Sequence, residues 1–269
     1  MDLLKEFESD NIYTRHVREE HSDGSGYTMH IHERCEIYFF AEGNARYLVE
    51  GSEYVLSHGS TLIIRPGEVH RPKLLDNGVY ERFAVNFPIS LFDDIDPERR
   101  IMRPFTDRAL GTCNLYEKPE YEELFLRLSS EYDDVYGRRV EAYSILLQMM
   151  TDIGRDFSSV KKGSRAGKNA PAGKILKYIN DHLYEDISVP ALAENFYIST
   201  SGLNRIIRSA TGASPWEYII AKRLIAAGDM IRDGVPAGEA AESVGFSDYS
   251  SFYRAYVKRY GLSPRDKAR

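Results

Sequence analysis

A chain of 269 residues and 30.7 kDa has room for one large domain or two ordinary ones. Its 42 % apolar content, with 19 Tyr and 12 Phe, can bury a sizeable core, which excludes intrinsic disorder over most of the length. The net charge of −6 is unevenly spread: residues 1–160 carry a balance of −12, residues 161–171 hold four bases and no acid, and residues 172–269 hold 13 bases against 11 acids. An acidic front half joined through a basic segment to a mildly basic back half fits a chain in which only the back half meets a polyanion.

The opening, MDLLKEFESD, is acidic where a secretory signal places a basic cluster and an apolar run. The best candidate for a membrane span, Tyr218 to Ala227, is interrupted by Lys222 and Arg223, far short of the roughly 20 apolar residues a span needs. Cys35 and Cys113 cannot make a disulfide framework. A cytoplasmic protein with no membrane partner is expected.

From about Tyr27 to Phe87, short runs rich in Ile, Val, Tyr and Phe alternate with turn signals: EIYFF then AEGN, RYLV then EGSE, TLII then RPGE, and YERFAVNF ending at Pro88. This spacing predicts a small barrel or sandwich. Within it lie Gly24, His30, His32, Glu36 and Gly43, followed later by Gly59 and by Pro66-Gly67-Glu68-Val69-His70. Equal parity on a strand would aim His30, His32 and Glu36, with Tyr38, into one space that His70 could join. These nitrogen and oxygen donors suit a divalent metal such as zinc, iron, nickel or manganese. They equally suit a metal-free polar pocket, or a cluster that only hydrogen-bonds within itself. Cys35, of opposite parity, is expected to face away as an ordinary buried thiol.

After Pro119 the apolar period changes to three and four. Tyr121, Leu124, Phe125, Leu128, Tyr132 and Val135 predict one amphipathic helix, and Tyr143, Leu146, Leu147, Met150 and Ile153 a second. The stretch SSVKKGSRAGKNAPAG, residues 158–173, lacks large apolar residues except Val160 and reads as a flexible linker.

The back half repeats itself at an offset near 49: Arg205 falls on Arg254, Gly212 on Gly261, Ser214 on Ser263 and Pro215 on Pro264. In copy one, Ser188 caps a helix with Val189, Leu192, Ala193 and Phe196 inward. Ser199 caps a second helix that buries Leu203, Ile206, Ile207 and Ala210, leaving Ser201, Asn204, Arg205 and Arg208 outward. In copy two, Pro236 opens a short helix, Gly245-Phe246 turns the chain, and Asp248 caps a helix with Phe252, Tyr256 and Tyr260 on one face. Ser250, Arg254 and Lys258 lie on the opposite face. Between the copies, Pro215 to Arg232 predicts a helix about 27 Å long with an apolar stripe of Trp216, Ile220, Leu224, Ala227 and Ile231. Helix, tight turn and helix with a basic second member is a helix-turn-helix, whose second helix can enter a major groove.

Residues 24–87 resemble the cupin superfamily, matching its first motif throughout and its second loosely, with one extra residue before Pro66 and no Asn shortly after His70. Residues 172–269 resemble the DNA-binding domain of the AraC/XylS family of bacterial transcription regulators. The match is carried by Leu192-Ala193, Ser199, Leu203, Arg205, Gly212 to Pro215, Arg223 to Ala227, Ala240-Ala241, Val244-Gly245-Phe246, Phe252, Arg254, Tyr256, Lys258, Gly261, Ser263-Pro264 and Arg269. That resemblance implies base contacts from Ser201, Asn204 and Arg205 and from Tyr249, Ser250, Ser251 and Arg254, while Arg208 and Lys258 suit phosphate.

The expected fold is α+β in two domains. A cupin-like β-barrel with two helices (1–157) binds effector and dimerises, a basic linker (158–173) follows, and an all-α domain of two helix-turn-helix units joined by a long helix (174–269) completes the chain. The expected function is a transcription regulator controlled by a small polar effector, such as a sugar, in a pocket of His30, His32, Glu36, Tyr38 and His70. A divalent metal, if one binds, would take His30, His32, Glu36 and His70. Expected partners are double-stranded DNA, the effector, a second copy of the chain and RNA polymerase. Two alternatives are a metal-dependent cupin oxygenase or isomerase with an appended helical domain, and a helical domain that binds protein instead of DNA.

Overall fold

Strand-forming residues dominate the front of the chain, and the computed structural model converts them into two antiparallel sheets. It describes residues 2–9, 11–22, 24, 26–130, 134–163, 167–168 and 170–267. Two compact units result, 1–168 and 169–269.

Among the described residues the first unit contains strands β1 (Asp2–Ser9), β2 (Ile12–Glu19), β3 (Cys35–Glu42), β4 (Ala45–Val49), β5 (Ser52–Val55), β6 (Ser60–Ile64), β7 (His70–Leu74), β8 (Tyr80–Phe87), β9 (Leu115–Glu117) and β10 (Gly167–Lys168). One sheet runs β1-β2-β8-β3-β6-β9 and the other β10-β5-β4-β7. β3 is central and buried on both faces. Its Cys35, Ile37 and Phe39 pack outward, with Phe125, Leu146 and Met149, against α2 (Tyr121–Leu128) and α3 (Val135–Gly163). Its Tyr38 and Phe40 face the second sheet, meeting Tyr47 and Val49 of β4. The strand period of two thus serves both halves of the core. Cys35 behaves as predicted: burial raises its thiol pKa, and it faces away from the histidines.

Three expectations need correction here. Leu147 is not part of the buried stripe of its helix, because α3 turns that position to solvent while Ile145, Leu146 and Met149 are buried. The first predicted helix ends early: α2 stops at Leu128, and Val135, expected on its apolar stripe, opens α3 with its side chain 76 % exposed; Tyr132 lies outside the described residues. Of the segment 158–173, expected as a flexible coil, the described residues lie in regular elements: α3 continues to Gly163 with Val160 packed on the core, β10 pairs with β5, and α4 (Ala170–Asp181) starts at Ala170. Lys and Ala favour helix, so the low apolar content did not prevent it.

A loop carrying a 3-10 turn (Arg100–Met102) and α1 (Arg103–Thr106) is tied to the strands by a buried ion pair. Both Glu68 and Arg108 have side chains 0 % exposed. Arg108 Nη1 donates to Glu68 Oε1 and Nη2 to Oε2, each at 2.6 Å. The amides of Gly111 and Arg65 and the Asn114 side chain donate to the same carboxylate. Burial alone would raise the pKa of Glu68, but the Arg108 charge and these hydrogen bonds hold it down to about 2. Its folded value lies below the unfolded value of 4.5, so its stabilisation is complete above that pH and is lost as pH falls toward 2. Urea unfolding of wild type should therefore weaken more steeply than that of Glu68→Gln across this window. Arg108→Met, which strands the buried carboxylate, should cost about 3–5 kcal/mol at neutral pH.

The second unit is helical: α4, α5 (Val189–Asn195), α6 (Thr200–Thr211), α7 (Pro215–Arg232), α8 (Ala237–Ser243), α9 (Tyr249–Tyr260) and α10 (Pro264–Lys267). Ser188, Ser199 and Asp248 cap α5, α6 and α9 as their positions predict. Ser214 and Glu217 form a capping box on α7. The predicted stripe on α7 is too narrow, because the helix lies between the two repeats and packs on both. Trp216 is 50 % exposed and Ile220 half-buried, while Tyr218, Ile219, Ala221, Arg223 and Ile225 are buried.

Arg223 is 3 % exposed and donates to the carbonyls of Leu183, Glu185 and Gly245. A Cβ on Gly245 would lie 2.9 Å from that guanidinium, and its φ of +88° is a glycine conformation. The matching position in copy one is Tyr197, which holds φ 54° and is 97 % exposed. Left-handed backbone costs a non-glycine residue about 1 kcal/mol or more. Tyr197→Gly should therefore stabilise the protein by about 1 kcal/mol, read as a higher urea midpoint.

Candidate functional site

The first cluster forms where β3 and β7 begin. His30 and His70 pair through their backbones, His30 N–H to His70 O at 2.9 Å and His70 N–H to His30 O at 3.0 Å. His32 and Glu36 do not share a strand, since β3 starts only at Cys35, but the chain still brings them together. His32 Nε2 lies 2.9 Å from Glu36 Oε2, and His70 Nε2 lies 3.7 Å from the same oxygen. Asn86 Nδ2 donates to it at 3.0 Å.

A backbone carbonyl sets the His70 tautomer: its Nδ1–H donates to Glu68 O at 2.8 Å. His32 Nδ1 lies at the same distance from Arg34 O, while its Nε2 meets Glu36. Both Nε2 atoms are thereby aimed at Glu36, the arrangement that metal-bound histidines use. Burial lowers the pKa of His70 to about 4, so its ring is neutral near pH 7. For Glu36, burial pushes upward, but the hydrogen bond from His32, the imidazole charges and the Asn86 amide win, and the net shift is downward. Donor atoms of His32, Glu36 and His70 lie within 4.8 Å of one another, two nitrogens and one oxygen of the kinds zinc or iron accept.

His30 lines the same cavity but is not in that three-residue group; it is exposed, its ring centroid 6.0 Å from that of His70. Tyr38 faces the cluster's side, and its hydroxyl pairs with that of Tyr80 at 2.8 Å.

Together these groups line a cavity of about 160 Å³. Its wall also contains Arg15, Arg82, Asn86 and Tyr47, which the sequence reading passed over. Alternation within YERFAVNF could have found two of them: Arg82, Ala84 and Asn86 share one face, and all three line the cavity.

The second candidate surface lies on α6 and α9. Ser201, Arg205 and Arg208 are exposed on α6, and Asn204 is half-buried with its amide donating to Thr200 O at 2.8 Å. Arg208 Nη2 lies 3.6 Å from Glu217. On α9, Tyr249, Ser250, Arg254 and Lys258 are exposed. Ser251 is half-buried; its amide donates to the Asp248 cap, and its hydroxyl accepts from Arg254 at 3.3 Å. Phe252 and Tyr256 fill the opposite face. Among the described residues, no helix is long and apolar enough to cross a membrane.

Two family models match the chain: an AraC-like ligand binding domain over residues 16–148 and a helix-turn-helix domain over residues 192–269. The HTH-type transcriptional activator RhaS of Citrobacter koseri is 24 % identical over 246 residues, covering 90 % of this chain and 87 % of that protein. RhaS of Salmonella agona is 25 % identical over 250 residues, with the same coverage. Among solved structures, an apo form of ToxT from Vibrio cholerae aligns over 97 % of both chains at 10 % identity and a TM-score of 0.44. The DNA-binding domain of AdpA in complex with a target DNA aligns over 35 % of this chain and 86 % of that one, at 25 % identity and a TM-score of 0.34.

Proposed function

Because the chain belongs to the AraC family of transcription regulators, with a ligand-binding unit and a helix-turn-helix unit, we propose a division of labour between the two residue sets just described. It is a DNA-binding regulator and not an enzyme. α6 and α9 enter major grooves. Arg205 and Arg254 read base edges together with Ser201, Asn204, Tyr249, Ser250 and Ser251, while Arg208 and Lys258 hold phosphates. The observation that carries this reading is the segregation of each second helix: a capped N-terminus, an apolar face packed on α7, and a polar, basic face left to solvent.

The cavity in the cupin-like barrel takes the effector, with His32, Glu36, Tyr38 and His70 as its floor and His30 at its rim. Effector binding shifts the regulator by differential affinity for two states. Homodimerisation through α3 is supported by Val135, Tyr136 and Val140, apolar side chains 76 %, 78 % and 50 % exposed on that helix.

Gel-shift titration against DNA upstream of the gene tests the interface. Arg254→Ala should weaken specific binding by about 1–3 kcal/mol and relax base preference at one position. Lys258→Ala should weaken all sequences alike and reduce the salt slope by about 1. Unchanged affinity in both variants would reject the interface.

The paired Nε2 atoms also favour a divalent ion held by His32, Glu36 and His70, where it would supply a Lewis-acidic anchor for effector oxygens. Metal analysis of the purified protein should then find about one ion per chain, lost in His70→Ala. A metal-free wild type at saturating zinc would remove this assignment.

A further inference from the structure

The effector pocket is more positive than a neutral sugar requires. Its wall carries Arg82 and Arg15, the second with a partner of its own, together with one carboxylate, Glu36. That carboxylate is already engaged, by His32 at 2.9 Å and Asn86 at 3.0 Å, and makes no ion pair with Arg82. Glu19, outside the wall, accepts from the Tyr27 hydroxyl.

The Arg82 side chain makes no hydrogen bond or ion pair among the described residues; its electrostatic neighbours are the phenols of Tyr38, Tyr47 and Tyr80, with Glu36 beyond ion-pair distance. A guanidinium stays charged, so its placement in a half-buried wall costs desolvation that Glu36 offsets only through space, without an ion pair. Tyr47 repeats the pattern. It is 3 % exposed and lines the cavity, yet its hydroxyl has no hydrogen-bond partner among the described residues. Between these groups, Ala84 stands opposite Arg15 in the β2–β8 ladder and leaves space that a longer side chain would fill.

From this arrangement we infer that the effector is a small hydroxylated carboxylic acid, a sugar acid or a shorter hydroxy acid, whose carboxylate is gripped by Arg82 and one of whose oxygens meets the Tyr47 hydroxyl. A planar guanidinium fork matches a carboxylate with two parallel hydrogen bonds. The cavity of about 160 Å³ is well below the roughly 300 Å³ at which drug-sized ligands begin, so a long acyl chain does not fit. The inference rests on the proposed role of the barrel as the effector site and narrows its ligand class.

Calorimetric titration of the full-length protein with three acids (glycerate, gluconate and glucuronate) and their neutral counterparts (glycerol, glucitol and glucose) tests it, with glucose 6-phosphate as the phosphate arm. At least one acid should bind at least tenfold tighter than its neutral counterpart. Arg82→Met, checked for folding by circular dichroism, should abolish that preference. Tyr47→Phe should weaken the acid several-fold while keeping the preference. Equal or tighter binding of the neutral compounds, binding of the phosphate ester alone, no binding of any acid, or a preference that survives Arg82→Met each overturns the assignment. Gel shifts with the same compounds separate the two levels. Acid binding that leaves DNA affinity unchanged counts against the regulatory role alone, whereas a neutral sugar that changes DNA affinity counts against the acid alone.

Discussion

A carboxylate sealed from water organises the front unit. Glu68 accepts from both arms of Arg108, and Arg108 in turn donates to the carbonyls of Pro104 and Thr112, so the loop after residue 99 is fastened to the turn before β7. The backbone carbonyl of the same Glu68 accepts from His70 Nδ1. One residue therefore uses its side chain to close the fold and its main chain to orient an imidazole in the cavity. Such a pair is a weak source of net stability, since both charges lose water, but it penalises any arrangement that separates them. The position of His70, and with it the triangle of His32, Glu36 and His70, depends on that penalty.

The helical unit obeys a comparable constraint with different chemistry. Arg223 has no carboxylate within ion-pairing distance among the described residues and is satisfied by three backbone carbonyls. It needs a glycine at position 245, while the equivalent turn in copy one faces no such guanidinium and tolerates Tyr197. The two copies have diverged where α7 treats them differently: one turn is clamped and the other pays a backbone strain.

Much of this was legible from the residues. Helix caps at Ser188, Ser199 and Asp248, the repeat, and the strands at 35–42 and 80–87 follow from short-range rules, and they stand. The hairpin of β1 and β2 was missed because its charged residues masked the alternation of Ile12, Thr14 and His16 that turns inward. Strand parity alone does not account for the meeting of His32, Glu36 and His70: parity predicts convergence only on a continuous strand, and the chain before Cys35 is held instead by the bridge of His30 to His70. Arg82 and Tyr47 escaped notice because an arginine or tyrosine on a strand looks like any half-exposed residue until the opposing sheet reveals what lacks a partner. The extent of α3 was hidden by composition, which tells little about a helix that continues past its core.

Burial of α7 on nearly all sides has a bearing on the DNA as well as on the protein. A connector that packs against α6, α8 and α9 at once cannot swivel, so the two helices it carries are fixed in azimuth as well as in distance. With α6 and α9 docked as proposed, the duplex must then supply its two contact sites in phase. Shifting one site by half of the roughly 10.5 base-pair turn carries it to the far side of the double helix, where no bending of so stiff a yoke can recover it.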